Sequence, residues 1–367
     1  MEAENAFSES DDIYEKTLFG NLDNGEFVTL IKPFYRKKSL NRPGQLTKSI
    51  LSSSMLVMSN RHIETFDDVE LIEARVEIGN ASKWFYEDRV HENKVFQMPS
   101  KKSVSLSSDD GEISIISSGF DNDKTILSIK MNEGCSLKYM QDLIYKVITF
   151  ISFSIGHCVQ QKNLNITDIE GVDYQLVYRE SFSPDSYEYK STENAIFLYN
   201  HPDINTFFFK WSEFSNEMRP LLRLYFLPKL SNIDVSVTFI LRTQLAEALA
   251  KKISRNNELT FKEYIKKIIV VDNYIDLIKR ANNDIGIDDF CTQVKQTRNH
   301  LTHYDNGSES KALKGKDLFF MCFKLELLLD LFIYNYLGAS QDDFDEIYRC
   351  VIRDRYNREL KLKEFKV

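Results

Sequence analysis

Cysteine is scarce and scattered. The five present (Cys135, Cys158, Cys291, Cys322 and Cys350) are an odd number with no C-x-x-C pair, which excludes a disulfide framework or a zinc ribbon and points to a reducing, cytoplasmic setting. No glycine-rich phosphate loop, G-x-S-x-G or H-E-x-x-H occurs, so P-loop, serine-hydrolase and zincin chemistries lack their carriers. Basic residues are missing from Met1–Glu15, which holds six acids. That is the opposite of a signal or transit peptide, and residues 1–15 are expected to form a disordered acidic tail. A charge-free apolar span is missing too. The most apolar stretch, Leu318–Leu337, carries Lys324, Glu326 and Asp330 centrally, and a Lys or Asp there costs about 2.5–3.5 kcal/mol on bilayer insertion. It reads as a buried bundle helix with no membrane role, and its all-round apolar character suggests a subunit interface.

What the chain does have is enough apolar residue, 43% of 367, to bury a sizeable core, and a length that suggests two domains. Strand-like runs fill the first half: Glu26–Ile31 after the Asn24-Gly25 turn signal, Ser49–Met58, Val69–Ile78, Glu112–Ser117, Thr125–Met131, Tyr174–Glu180, Ala195–Tyr199 and Thr206–Trp211. They predict a β-rich sandwich or open barrel over residues 16–210. Ser100–Ser118, rich in Ser, Lys and Asp, is expected to hold a mobile loop. Met140, Leu143, Ile144, Val147, Ile148, Ile151 and Ile155 recur at three and four, which predicts a helix covering one sheet face. Phe207-Phe208-Phe209 with Trp211 is either a nucleobase-stacking platform or core.

Pro220 and Pro228 bracket the boundary region, and residues 211–367 read as an all-α bundle. The expected helices are Asp234–Lys252, Thr260–Ala281 with capping-box spacing at Thr260 and Glu263, Asp288–Tyr304, Lys311–Leu337 and Gln341–Tyr356. Residues 1–210 carry ten more acids than bases, while 211–367 carry two more bases than acids. A polyanionic partner therefore favours the C-terminal half.

Chemistry concentrates in Gln296-Thr297-Arg298-Asn299-His300-Leu301-Thr302-His303-Tyr304-Asp305. Cys291, Val294 and Leu301 make an apolar seam on one helix, and Arg298 sits on that seam, where a guanidinium needs a partner. An anion from outside the chain is one candidate; a buried acid such as Glu247 or Asp330 is the other. Asn299 lies four residues before His303, so its amide can orient that imidazole. Asn306-Gly307 is the expected helix stop. His300, His303 and Asp305 make an incomplete metal set, and His157-Cys158, adjacent on a helix, diverge too far for a Cys/His catalytic pair.

The Arg298-Asn299 opening, with His303 five residues after Arg298 and an apolar helix to follow, resembles the R-x(4–6)-H motif of the HEPN superfamily of helical-bundle ribonucleases. A β-rich half before such a domain is similar to the ApeA family of bacterial anti-phage proteins. The resemblance implies an α+β, two-domain protein whose β-rich, ApeA-like half senses an unknown phage-derived trigger and whose C-terminal HEPN-like bundle is a metal-independent endoribonuclease. Arg298, His303 and Asn299 would be its catalytic residues, with His300 the competing histidine. RNA of host or phage would be the substrate, and a homodimer through the C-terminal bundle would pair the motifs in a cleft. No cofactor is implied. The alternative is a catalytically inactive HEPN interaction module with a protein-binding N-terminal domain.

Overall fold

The computed structural model describes residues 17–38, 49–85, 102–118, 124–178, 195–230, 233–255, 258–269, 286–303 and 309–347. The chain divides into two compact units. Met1–Ser82, Met98–Ile148 and Val159–Asp185 form the first; Lys83–Gln97, Thr149–Cys158 and Ser186–Val367 form the second.

Among the described residues the first unit has nine strands: β1 (Leu18–Asn21), β2 (Phe27–Lys38), β3 (Ser49–Ser59), β4 (Leu71–Gly79), β5 (Lys102–Ser108), β6 (Gly111–Ser117), β7 (Thr125–Cys135), β8 (Gln160–Asp168) and β9 (Asp173–Tyr178). They form one antiparallel sheet in the order β1-β2-β3-β9-β8-β4-β7-β6-β5. The β1–β2 connection turns at Asn24-Gly25, where Gly25 takes a φ of 87° that an L side chain rarely adopts. Alternation sets the faces: Ala74, Val76 and Ile78 are buried, while Glu73, Arg75 and Glu77 point the other way. Helix α1 (Leu137–Ser154) follows β7. It lies along the sheet, with Gln141 Nε2 donating to Tyr178 Oη on β9 at 2.5 Å and Tyr139 Oη donating to Asp110 in the β5–β6 turn.

Three stretches depart from sequence expectation here. The presumed mobile loop at Ser100–Ser118 is largely the β5–β6 hairpin, because serine side chains on an edge strand face solvent while their backbone completes the ladder. Two strands, β1 and β8, carry no strong signal. β8 reads QQKNLNITD, with Leu164 and Ile166 as its fully buried aliphatics, yet it occupies the middle of the sheet. The acidic tail, residues 1–15, lies outside the described residues.

The second unit holds α2 (Ile204–Leu230), α3 (Val235–Ser254), α4 (Phe261–Ile268), α5 (Ile287–His303), α6 (Gly315–Leu337) and α7 (Gln341–Ile347). Thr206–Trp211 is the start of α2, and Ala195–Tyr199 is irregular; neither is a strand. The aromatic run favours strand locally, but Phe207, Trp211, Phe214, Met218, Leu222 and Tyr225 recur at three and four over the whole length, and all are buried. That stripe also carries the helix through Pro220 and Pro228, although an interior proline costs about 3 kcal/mol. Phe207, Phe208 and Trp211 are therefore core, joined by Trp84, Phe150, Phe153 and Phe197; Phe209 alone of the run is exposed.

Asp234 caps α3 by accepting from Ser236 N–H, and Thr260 with Glu263 forms the expected capping box on α4. The single helix expected over Thr260–Ala281 is not formed: α4 ends at Ile268, where the C-cap Ile269 turns to a ψ of 84° and its N–H bonds the Lys266 carbonyl. The continuation of α7 to Tyr356 and the Asn306-Gly307 stop lie outside the described residues. No helix among the described residues is long and apolar enough to cross a membrane. The apolar surface of α6 is mostly consumed inside this unit, with Phe319 its one exposed large apolar side chain.

The two central carboxylates of α6 are paired in the same unit. Glu326 Oε2 meets Arg242 Nη2 at 3.2 Å, Glu326 Oε1 meets Lys229 Nζ at 3.1 Å, and Asp330 Oδ1 accepts from Tyr225 Oη at 2.6 Å. Arg242 Nη1 also donates to the Tyr225 carbonyl at 3.0 Å. Burial pushes the Tyr225 phenol well up, and Asp330 adds to the shift.

Candidate active site

Helix α5 carries the polar decapeptide. Its first turn holds Asp288 and Asp289 and its last turn His300 and His303, the distribution that the helix dipole favours. Phe290, Cys291, Val294 and Thr297 are fully buried, and from Arg298 onward the helix emerges from the core. The side chain of Thr297 accepts from Leu313 N–H at 3.1 Å, tying α5 to the chain leading into α6. At the other end Asp288 meets Lys262 at 3.5 Å and Lys266 at 2.5 Å on α4. The Lys266 hydrogen bond and the nearby lysine charge hold this carboxyl below the usual carboxylate range.

Arg298 points inward from the apolar seam and finds both an anion and a ring. Its Nη2 lies 3.3 Å from Glu247 Oε2 on α3, and its guanidinium carbon lies 4.7 Å from the centroid of Phe261 on α4. Its Nε is buried and has no hydrogen-bond partner among the described residues. Of the two partners that the sequence offered, the chain itself thus supplies Glu247; Asp330 is committed to Tyr225.

His303 is exposed as the last residue of α5, and Asn299 and His300 are half-buried. Five residues separate Arg298 from His303, a rotation of about 140° and a rise of about 7.5 Å on a regular helix. One chain therefore presents the two side chains in different directions. Asn299 makes no hydrogen bond to His303 among the described residues, while Thr302 Oγ1 donates back to the Arg298 carbonyl at 2.8 Å. Asp305, the third member of the metal set, lies outside the described residues. His157 is buried with Nδ1 3.2 Å from the Ile155 carbonyl. Burial pushes the Cys158 thiol up to about 11, which suits a structural cysteine and not a nucleophile.

Sequence reasoning missed Lys251, Phe261 and Tyr264. Lys251 Nζ lies 2.6 Å from Glu247 Oε1 and 5.2 Å from the Tyr264 ring centroid. The signal was available, since Glu247 and Lys251 are four apart on one helix and Phe261 and Tyr264 three apart on another.

Comparison with known proteins agrees with this architecture. Residues 2–223 match the family described as ApeA N-terminal domain 1, and residues 230–343 match the family described as Apea-like HEPN. No curated protein and no solved structure gives a match. The nine-stranded sheet, the helical unit after it and the two matched families together establish that the chain belongs to the ApeA family of HEPN-domain anti-phage proteins.

Proposed function

We propose that the chain is a metal-independent endoribonuclease of anti-phage defence that cuts host or phage RNA. The carrying observation is the C-terminal half of α5, where Arg298, Asn299 and His303 lie within two turns at the end of a helix anchored on both sides. In the proposed reaction the RNA 2′-hydroxyl attacks the adjacent phosphorus, the new O2′–P bond forms and the P–O5′ bond breaks. Histidine titrates near neutrality and so can take the hydroxyl proton or protonate the leaving 5′-oxygen; His303 is assigned that role. Arginine's planar fork matches two oxygens of the phosphorane, and Arg298 is assigned that one. Asn299 orients the histidine.

The 140° separation supports a two-fold dimer of the helical unit, in which the arginine of one copy and the histidine of the other share a cleft. We place residues 211–367 in the nuclease domain. The phage-derived trigger is assigned to the β-rich domain of residues 16–210, where Glu73, Arg75, Asn165, Asp173 and Gln175 border an open polar cleft of about 900 Å³.

The Arg298–Glu247 ion pair favours a second reading, an inactive interaction module in which the arginine is structural. Incubation of the purified protein with total RNA in EDTA, resolved on a gel, decides between them. The enzyme yields fragments ending in 2′,3′-cyclic phosphate; the module leaves RNA intact. Fragments with 5′-phosphates, or cleavage that returns only with added metal ion, would instead indicate metal-assisted hydrolysis.

A further inference from the structure

Glu247 bridges two cations, and each cation rests on an aromatic ring of the same short helix. Oε2 takes Arg298 and Oε1 takes Lys251. Arg298 lies over Phe261 and Lys251 over Tyr264, two residues one turn apart on α4. The platform is fixed, since the capping box closes the N-terminus of α4 and Tyr264 is 1% exposed. The cluster is not sealed: the side chains of Lys251, Arg298 and Glu247 are 41%, 26% and 19% exposed. One carboxylate between two cations leaves a net charge of +1 at a surface where donors of both remain unfilled.

We propose that Lys251 is a second phosphate-binding residue of the RNA site and that Glu247 is a positioning residue holding Lys251 and Arg298 as a pair. This rests on the ribonuclease reading given above. Unlike the buried cations on Glu326, the second cation on Glu247 is stacked and half-exposed beside the candidate phosphate ligand, which is the chemistry of a backbone contact. Lys251 holds the strand, whereas Arg298 meets the reacting phosphate. Glu247 keeps the guanidinium from swinging away from its ring, at the expense of some attraction for RNA.

The test uses the full chain and a labelled single-stranded RNA oligonucleotide. In a His303→Ala background, affinity is measured across a potassium chloride series. Lys251→Ala should weaken binding about fivefold and flatten the slope of log affinity against log salt by about 0.7, one phosphate contact on a single strand; Lys251→Arg should restore both. In the otherwise wild-type chain, Lys251→Ala should raise KM with kcat little changed, and Glu247→Gln should lower kcat while KM falls. A melting curve for each variant separates these effects from misfolding. If RNA is cleaved but Lys251→Ala leaves both salt slope and KM untouched, Lys251 is only a structural partner and the proposal is wrong. If RNA binds without cleavage, the ribonuclease reading fails while the slope still decides the role of Lys251. If RNA does not bind at all, both fall.

Discussion

Replacing Arg242 by leucine removes one charge from a buried set of four. The Arg242 side chain is 1% exposed and binds Glu326 at 3.2 Å and the Tyr225 carbonyl at 3.0 Å. Lys229 lies 3.1 Å from Glu326 and donates to Tyr225 Oη at 3.0 Å, and Asp330 accepts from that hydroxyl. With Arg242 gone, two carboxylates share one ammonium. Breaking a buried pair on one side costs about 3–5 kcal/mol. Because the Glu326 side chain is 25% exposed and can be partly hydrated, about 3 kcal/mol is expected. Leucine keeps apolar volume in the site, so the loss reports charge more than cavity. The companion Glu326→Leu strands Arg242 and should cost at least as much. The double variant removes both signs and should recover about 2 kcal/mol relative to the sum of the singles, since a buried pair exchanged for apolar side chains is often near neutral. The assay is urea unfolding followed by tryptophan fluorescence. The two tryptophans of the chain, Trp84 and Trp211, are both fully buried and both belong to the helical unit, so the signal reports that unit alone. A loss under about 1 kcal/mol for Arg242→Leu, or strict additivity in the double variant, would refute the argument.

Arg298→Ala and His303→Ala should each abolish RNA cleavage, and Asn299→Ala should impair it; Arg298→Ala, which breaks a half-exposed pair, should cost about 1 kcal/mol of stability, and wild-type cleavage by His303→Ala would move the role to His300. Mixing Arg298→Ala with His303→Ala chains should regain part of the activity through a composite site, whereas full-rate cleavage by a species that sediments as a monomer removes the dimer. Native protein at pH 8 should resist iodoacetamide at Cys158, Cys291 and Cys322, because burial pushes these thiols to about 11, 11 and 12; rapid labelling of any of them, read by mass spectrometry, would show that its site opens. Backbone and side-chain hydrogen bonds from Ser236 and Thr260 depress the Asp234 and Glu263 carboxyls, and bonds from His201 and Ser340 depress Asp343 against the opposing effect of burial. Depressed carboxyls stabilise above the unfolded carboxylate pKa of about 4 and lose that contribution as pH falls through the folded values. Helical-unit stability should therefore decline below about pH 4, less steeply in the combined Asp234→Asn, Glu263→Gln and Asp343→Asn variant.

Periodicity and local chemistry determined much of this protein directly. The α4 capping box, the span of α5 and the Asn24-Gly25 turn depend on residues close in sequence, and the structure has each of them. The faces of α5 that Arg298, Asn299 and His303 occupy likewise follow from their spacing on one helix. What the sequence could not determine was anything set by neighbours from afar. Thr206–Trp211 has aromatic strand propensity, but a stripe buried over 27 residues of α2 decides for helix. The nearly signal-less β8 becomes a central strand because β4 and β9 complete its ladders from either side. Arg298 needed an anion, and only the folding of α3 and α4 against α5 decides that the anion is Glu247, that Phe261 lies beneath the guanidinium, and that Lys251 comes to the same carboxylate. A charge on an apolar seam states a requirement in one dimension; which group meets it is a property of three.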